Sequence, residues 1–256
     1  MPKAKLNGID LYYEDEGQGQ PIVLLHGLTG SHLMLRAEQA RFQSEYRVVA
    51  LDARGHGKSD KPESYTLNDH IEDVLALINY LKLDNVVLLG MSMGTYVAQG
   101  VAIQAPEKVD KIILVSGAAH GDTSSTEGLM ARHADELEGL TFEEQMGEMA
   151  PHIFHDLDAV GAWLADMPSG LTAKQQEAAA AALSKYDFRP DLATVTVPVL
   201  VISGRHDGLN PPGQGKEIAD HIPNAKFVVF ENSGHAPNVE EPEAYFQLVD
   251  DFLKNG

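Results

Sequence analysis

Short, predominantly apolar runs recur along this chain, separated by stretches of helical period. The runs lie near residues 22–25, 47–51, 86–89, 111–115, 198–203 and 226–230. They do not alternate with polar residues, so they read as strands buried within a sheet. The clearest helical stretch between them is Asn68 to Leu81, where Ile71, Val74, Leu75, Ile78 and Leu81 fall on one face. A second, Glu241 to Lys254, closes the pattern, and Asn7-Gly8 between two short runs marks an opening hairpin. Strands separated by helices predict an α/β fold with one mostly parallel central sheet flanked by helices. The alternation stops between Ser116 and Pro190, where helical, Ala- and Met-containing sequence intervenes. A chain of 256 residues is long enough to bury roughly three quarters of its unfolded surface.

The run Val86-Val87-Leu88-Leu89 passes directly into Gly90-Met91-Ser92-Met93-Gly94, and Thr95 to Gln104 can form a helix. A serine between a buried strand and a helix start sits on a tight turn with its hydroxyl presented outward, and flanking glycines let neighbouring chain pass close. Ser92 is therefore the candidate nucleophile; the bland alternative is an ordinary helix cap. A serine nucleophile needs a base and a group to orient that base. Asp207 follows the run at 198–203 and His235 follows the run at 226–230, so all three stand just past the C-terminal ends of expected strands. That edge is where open α/β sheets bind ligands. Asp122, after the run at 111–115, is an alternative acid. The amides of Leu28, in His26-Gly27-Leu28 after the first long run, and of Met93 are the candidate oxyanion donors. His26 and His56 read as loop-holding residues.

As a set, His26-Gly27, Asp52-x-Arg54-Gly55-His56-Gly57-x-Ser59, Gly90-Met91-Ser92-Met93-Gly94, Gly204-Arg205-His206-Asp207 and Ser233-Gly234-His235 resemble the α/β-hydrolase fold family, in its esterase, lactonase and cofactor-free haloperoxidase group. One departure is Thr95, where a further glycine is common. The resemblance implies a catalytic core over residues 1–118 and 191–256 and a helical cap at 119–190, inserted before the acid-bearing strand. An insertion between two strand ends at that edge sits over the site they form. Met130, Met149, Trp163 and Met167 are candidates for an apolar pocket there, or else they pack the cap against itself. The implied reaction is hydrolysis of small, mostly neutral and apolar esters or lactones, without cofactor. Alternatives are perhydrolysis with the same triad, carbon–carbon bond hydrolysis, and a ligand-sensing protein that retains the triad.

Charge refines this picture. There are 19 Lys and Arg against 38 Asp and Glu, a net charge of −19. From His120 to Pro190 the chain carries 13 acidic and 4 basic residues. Nucleic acid and anionic membrane surfaces are poor partners for such a surface. The cap would disfavour anionic substrates, unless Arg132 or Arg189 reaches the pocket. There is no cysteine, which excludes disulfides and thiolate chemistry. No apolar run approaches membrane-spanning length, and the first residues lack a signal-peptide pattern, so a cytoplasmic location is expected. His152 and His155, with Asp156 and Asp158 nearby, lack a clear third ligand, and no metal site is expected.

Overall fold

The computed structural model describes residues 3–165 and 170–255. Among the described residues ten strands form: β1 (Lys3–Leu6), β2 (Ile9–Gly17), β3 (Pro21–Leu25), β4 (Arg47–Leu51), β5 (Val86–Met91), β6 (Val109–Val115), β7 (His120–Gly121), β8 (Tyr186–Asp187), β9 (Val199–Gly204) and β10 (Ala225–Phe230). Eight of them make one sheet in the order β1-β2-β4-β3-β5-β6-β9-β10. From β4 to β10 every pairing is parallel, while β2 runs antiparallel to both β1 and β4. The β1–β2 turn uses Asn7 and Gly8, both at positive φ (46° and 81°), the handedness that a two-residue hairpin requires.

The unbroken apolar runs are explained by burial on both faces. Val23, Leu25, Leu88, Ile112, Leu114, Val199 and Val201 join one core cluster. Their neighbours Ile22, Leu24, Val87, Leu89, Ile113, Val115, Leu200 and Ile202 join a second. Helices cover both faces: α1 (Arg36–Phe42), α2 (Leu67–Tyr80) and α3 (Met93–Gln104) come early in the chain, and α9 (Pro212–His221), α10 (Pro237–Glu240) and α11 (Pro242–Asn255) come late. Thr66 caps α2 and exchanges hydrogen bonds with Asp69, so the amphipathic helix starts where its apolar face begins. Among the described residues no helix is long and apolar enough to cross a membrane.

Between β6 and β9 lie α4 (Ser125–Arg132), α5 (Ala134–Leu137), α6 (Phe142–Ile153), α7 (Leu157–Ala165) and α8 (Ala173–Ala181). Ser124, Thr141 and Thr172 each close a reciprocal capping box with the residue three further on. The insert has a small core of its own, Leu129, Leu137, Met149 and Ile153. At its base β7 and β8 pair antiparallel, His120 opposite Asp187 and Gly121 opposite Tyr186.

One buried acid links α1 to α10. Glu38 is fully buried and accepts a hydrogen bond from Asn238 Nδ2 at 3.0 Å. Burial pushes its carboxyl up to about 7, only partly offset by hydrogen bonds from its own backbone and Asn238. A carboxyl raised in the folded state holds a proton that the unfolded chain gives up above about 4.5. Stability should therefore fall as pH rises from about 4.5 to about 7 and level off above that, by roughly 3 kcal/mol from this group. Glu38→Gln should flatten that dependence and raise Tm at pH 8. An unchanged pH–Tm profile in the variant would assign the effect to other groups.

Candidate active site

Ser92 stands between β5 and α3 with φ 52° and ψ −117°. This is a strained conformation for a residue with a side chain, held because its surroundings over-determine it. The Ser92 amide donates to Val115 O, and its carbonyl accepts from the Thr95 amide and the Thr95 hydroxyl at 2.9 and 2.7 Å. A Cβ on Gly90 would overlap the Gly94 carbonyl, and one on Gly94 would overlap the Leu25 carbonyl. Both glycines are thus dictated by close approach of backbone. Thr95, the residue that departs from the family pattern, packs against Gly117, where an added Cβ would meet it.

Asp207 and His235 leave the ends of β9 and β10. His235 Nδ1 lies 2.8 Å from Asp207 Oδ2, with both residues buried. The other carboxylate oxygen accepts from the Leu209 and Asn210 amides at 2.9 and 3.0 Å, which orients the carboxylate. A carboxylate accepts only, so Nδ1 carries the proton and Nε2 keeps its lone pair. Ser92 and His235 line the same cavity, of about 240 Å³. No hydrogen bond joins Ser92 to His235 among the described residues. Asp122 is exposed, and among the described residues it is Asp207 that His235 Nδ1 meets.

Leu28 also lines the cavity. Met93 is not part of the described wall; its side chain is buried in the core. Its amide is the first of α3 and so has no acceptor within the helix. Neither the Leu28 nor the Met93 amide donates to a protein group among the described residues. The two histidines read as loop-holding do hold loops. His26 Nε2 accepts from the Ala53 amide at 3.0 Å, and its Nδ1 donates to Gly27 O at 2.7 Å. His56 is buried with its Nδ1 on Arg54 O at 2.8 Å, and burial pushes it down to about 3, so it stays neutral.

The cavity wall revises the expected pocket. Trp163 lines it, anchored by Nε1 donating to Met34 O at 3.1 Å. Met149 does not: it is buried with Leu129, Leu137 and Ile153, and Met130 packs on the same cluster. Met167 lies outside the described residues. In their place the wall uses Met34, Met146, Ala150, Phe154 and Leu209. Met146, Ala150 and Ile153 recur at helical spacing on α6, so one face of that helix meets the cavity while Met149 turns toward the insert's own core. The described lining contains no Asp, Glu, Lys or Arg. Arg132 donates to Gly208 O and Arg189 pairs with Asp187, so neither is part of that wall.

Glu240, which the sequence pattern did not single out, binds the His235 loop to the insert. Its Oε1 accepts from the Gly234 and Ala236 amides at 3.0 and 3.1 Å. Its Oε2 accepts from the His155 and Asp156 amides at 2.7 and 2.9 Å. His235 also donates its own amide to Ile153 O at 2.8 Å. Glu240→Ala should lower kcat on the order of 10²-fold by loosening His235, with less change in KM. Glu240→Gln, which keeps one carbonyl acceptor, should recover part of the loss. Equal kcat in all three proteins would show that the bracket does not position the base.

A sequence profile described as "Alpha/beta hydrolase family" matches residues 22–248. The chain belongs to this family. It is 30% identical to 3-oxoadipate enol-lactonase 2 of Acinetobacter baylyi, over 96% of this chain and 94% of the lactonase. Among solved structures it superposes on the enol-lactonase from Burkholderia xenovorans LB400 with a TM-score of 0.86 at 29% identity, covering 99% of this chain and 100% of that one. A thermophilic esterase from Thermogutta terrifontis gives a TM-score of 0.84 at 29% identity, covering 99% and 97%. These relatives support hydrolase activity without specifying a substrate. The central sheet and its flanking helices are those of the α/β-hydrolase fold.

Proposed function

We propose that this family member hydrolyses small, neutral, mostly apolar esters or lactones through an acyl-enzyme on Ser92. The observation that carries the reading is the cavity: Ser92 and His235 meet at a wall of Met, Leu, Ile, Phe and Trp side chains without a described charged residue. Such a wall stabilises an apolar acyl group and leaves a carboxylate unpaired. His235 Nε2 takes the Ser92 proton as Oγ attacks the carbonyl carbon. The Leu28 and Met93 amides stabilise the oxyanion, helped by the positive end of α3. His235 then protonates the leaving alkoxide, and water, activated by the same imidazole, releases the acid and frees Ser92. Asp207 keeps His235 in the working tautomer and stabilises its charged form.

A panel of p-nitrophenyl esters of graded chain length, with five- and six-membered lactones, tests this reading. Steady-state turnover of short and medium neutral members is expected. A burst of product followed by negligible turnover across the panel would point to a ligand sensor. The acidic insert adds a second expectation. At about 10 mM salt, kcat/KM for a neutral ester should exceed that for its carboxylate-bearing analogue by about 10-fold or more. The gap should narrow at about 500 mM salt as screening shortens the range of the field. Equal values at low salt would reduce the acidic residues to a solvating surface.

A further inference from the structure

The insert brings together three metal-ligating side chains that are not part of the cavity wall. His133 joins α4 to α5, Glu136 is on α5, and His152 is near the end of α6. His133 Nδ1 lies 2.8 Å from Glu136 Oε1, and His152 Nε2 lies 3.5 Å from Glu136 Oε2. One ligand atom from each of the three falls within 4.8 Å of the other two. The imidazole centroids are 4.0 Å apart and tilted by 39°, so two ring nitrogens converge on one carboxylate. His155, by contrast, stacks flat on His206, with ring centroids 4.1 Å apart and planes within 13°. The pair that sequence spacing suggested, His152 with His155, is therefore not the one that the fold assembles.

We infer that His133, Glu136 and His152 form a binding site for a divalent transition-metal ion of the zinc type. Two imidazoles and a carboxylate suit zinc, with a coordination position left for water, whereas magnesium and calcium prefer all-oxygen sites. The ion would replace the direct contacts of Glu136 with the two histidines, since one carboxylate oxygen and two ring nitrogens need only small shifts to reach a common centre. The acidic surroundings, Asp135 and Glu138 in the same segment, favour a dication. The site also has a structural neighbour of consequence. His152 O accepts from the Gly208 amide at 2.9 Å, and Arg132, adjacent to His133, donates to Gly208 O at 2.7 Å. Gly208 follows Asp207. A bound ion would cross-brace α4, α5 and α6 around the loop that begins with the acid, so its effect is on rigidity of that corner and not on the chemical step.

The test is titration of chelator-treated protein with zinc chloride, followed by calorimetry and by Tm. One saturable site is expected, with Tm rising by about 5–10 °C at roughly 100 times Kd. His133→Ala, Glu136→Gln and His152→Ala should each weaken binding by at least about 10-fold, while His155→Ala leaves Kd unchanged. Excess magnesium chloride should not compete. Glu136→Gln is isosteric and exposed, so it reports on the site even if a histidine variant folds poorly. Absence of saturable binding, an unchanged Kd in Glu136→Gln, or loss of binding in His155→Ala alone would each overturn the inference.

Discussion

Ser92→Ala is expected to abolish ester turnover, with a loss on the order of 10⁶-fold in kcat. The reason lies in the turn. The Ser92 backbone is held by Val115 and Thr95, so the substitution removes Oγ without releasing the elbow. Covalent labelling by a fluorophosphonate should vanish in the same variant. His235→Ala should lose a comparable factor and the double variant little more, because nucleophile and base act as one unit. Persistent labelling in Ser92→Ala would remove Ser92 from the mechanism. The strained φ of 52° carries a companion expectation. Ser92→Gly should be as inactive yet more stable, by about 1 kcal/mol, because glycine occupies that region without a clashing Cβ. Thermal denaturation of wild type, alanine and glycine forms separates the two effects.

Asp207→Asn is expected to lower kcat on the order of 10⁴-fold with little change in KM. The carboxylate accepts from two loop amides on Oδ1 and faces His235 Nδ1 with Oδ2. An asparagine can keep the amide contacts through its carbonyl oxygen, but then turns an NH₂ toward Nδ1. The imidazole responds by moving its proton to Nε2, the atom that has to accept from Ser92. The fold is thus preserved while the base is lost. Asp122→Asn should remain near wild type. The reverse ranking of the two variants in kcat would transfer the role to Asp122.

The sheet was legible in the sequence because each core strand is apolar on both faces, and the expected runs match β3 to β6, β9 and β10 to within a few residues. The start of α3 was less so. The helix expected to start near Ser92 begins at Met93, two residues ahead of the Thr95–Gln104 helical stretch, since the left-handed Ser92 lets it start at once. Within the insert, each Ser or Thr at 124, 141 and 172 is followed three residues later by Glu or Gln, and these signals mark α4, α6 and α8. The direction in which each helix face turns was not legible. Met146 and Met149 differ by three positions on α6, and tertiary packing alone sends one to the cavity and the other to the insert's interior. Glu240 was hidden for another reason. Its partners are backbone amides, which leave no trace in residue type. Residues 133, 136 and 152 form a group only through the α5–α6 turn.

The two-residue ribbon of β7 and β8 brings the insert's departure and return into register, His120 opposite Asp187. The polypeptide leaves the core and rejoins it at a single point, so everything between is a detour whose length the sheet does not feel. Such a geometry makes the insert's share of the pocket wall an exchangeable part. Grafting another helical segment onto the same two stubs is expected to change substrate range while the Ser92 turn and the Asp207 loop keep their own supports. The ties to respect in any graft are those the detour sends downward: Ile153 O to the His235 amide, His152 O to the Gly208 amide, and the His155 and Asp156 amides to Glu240.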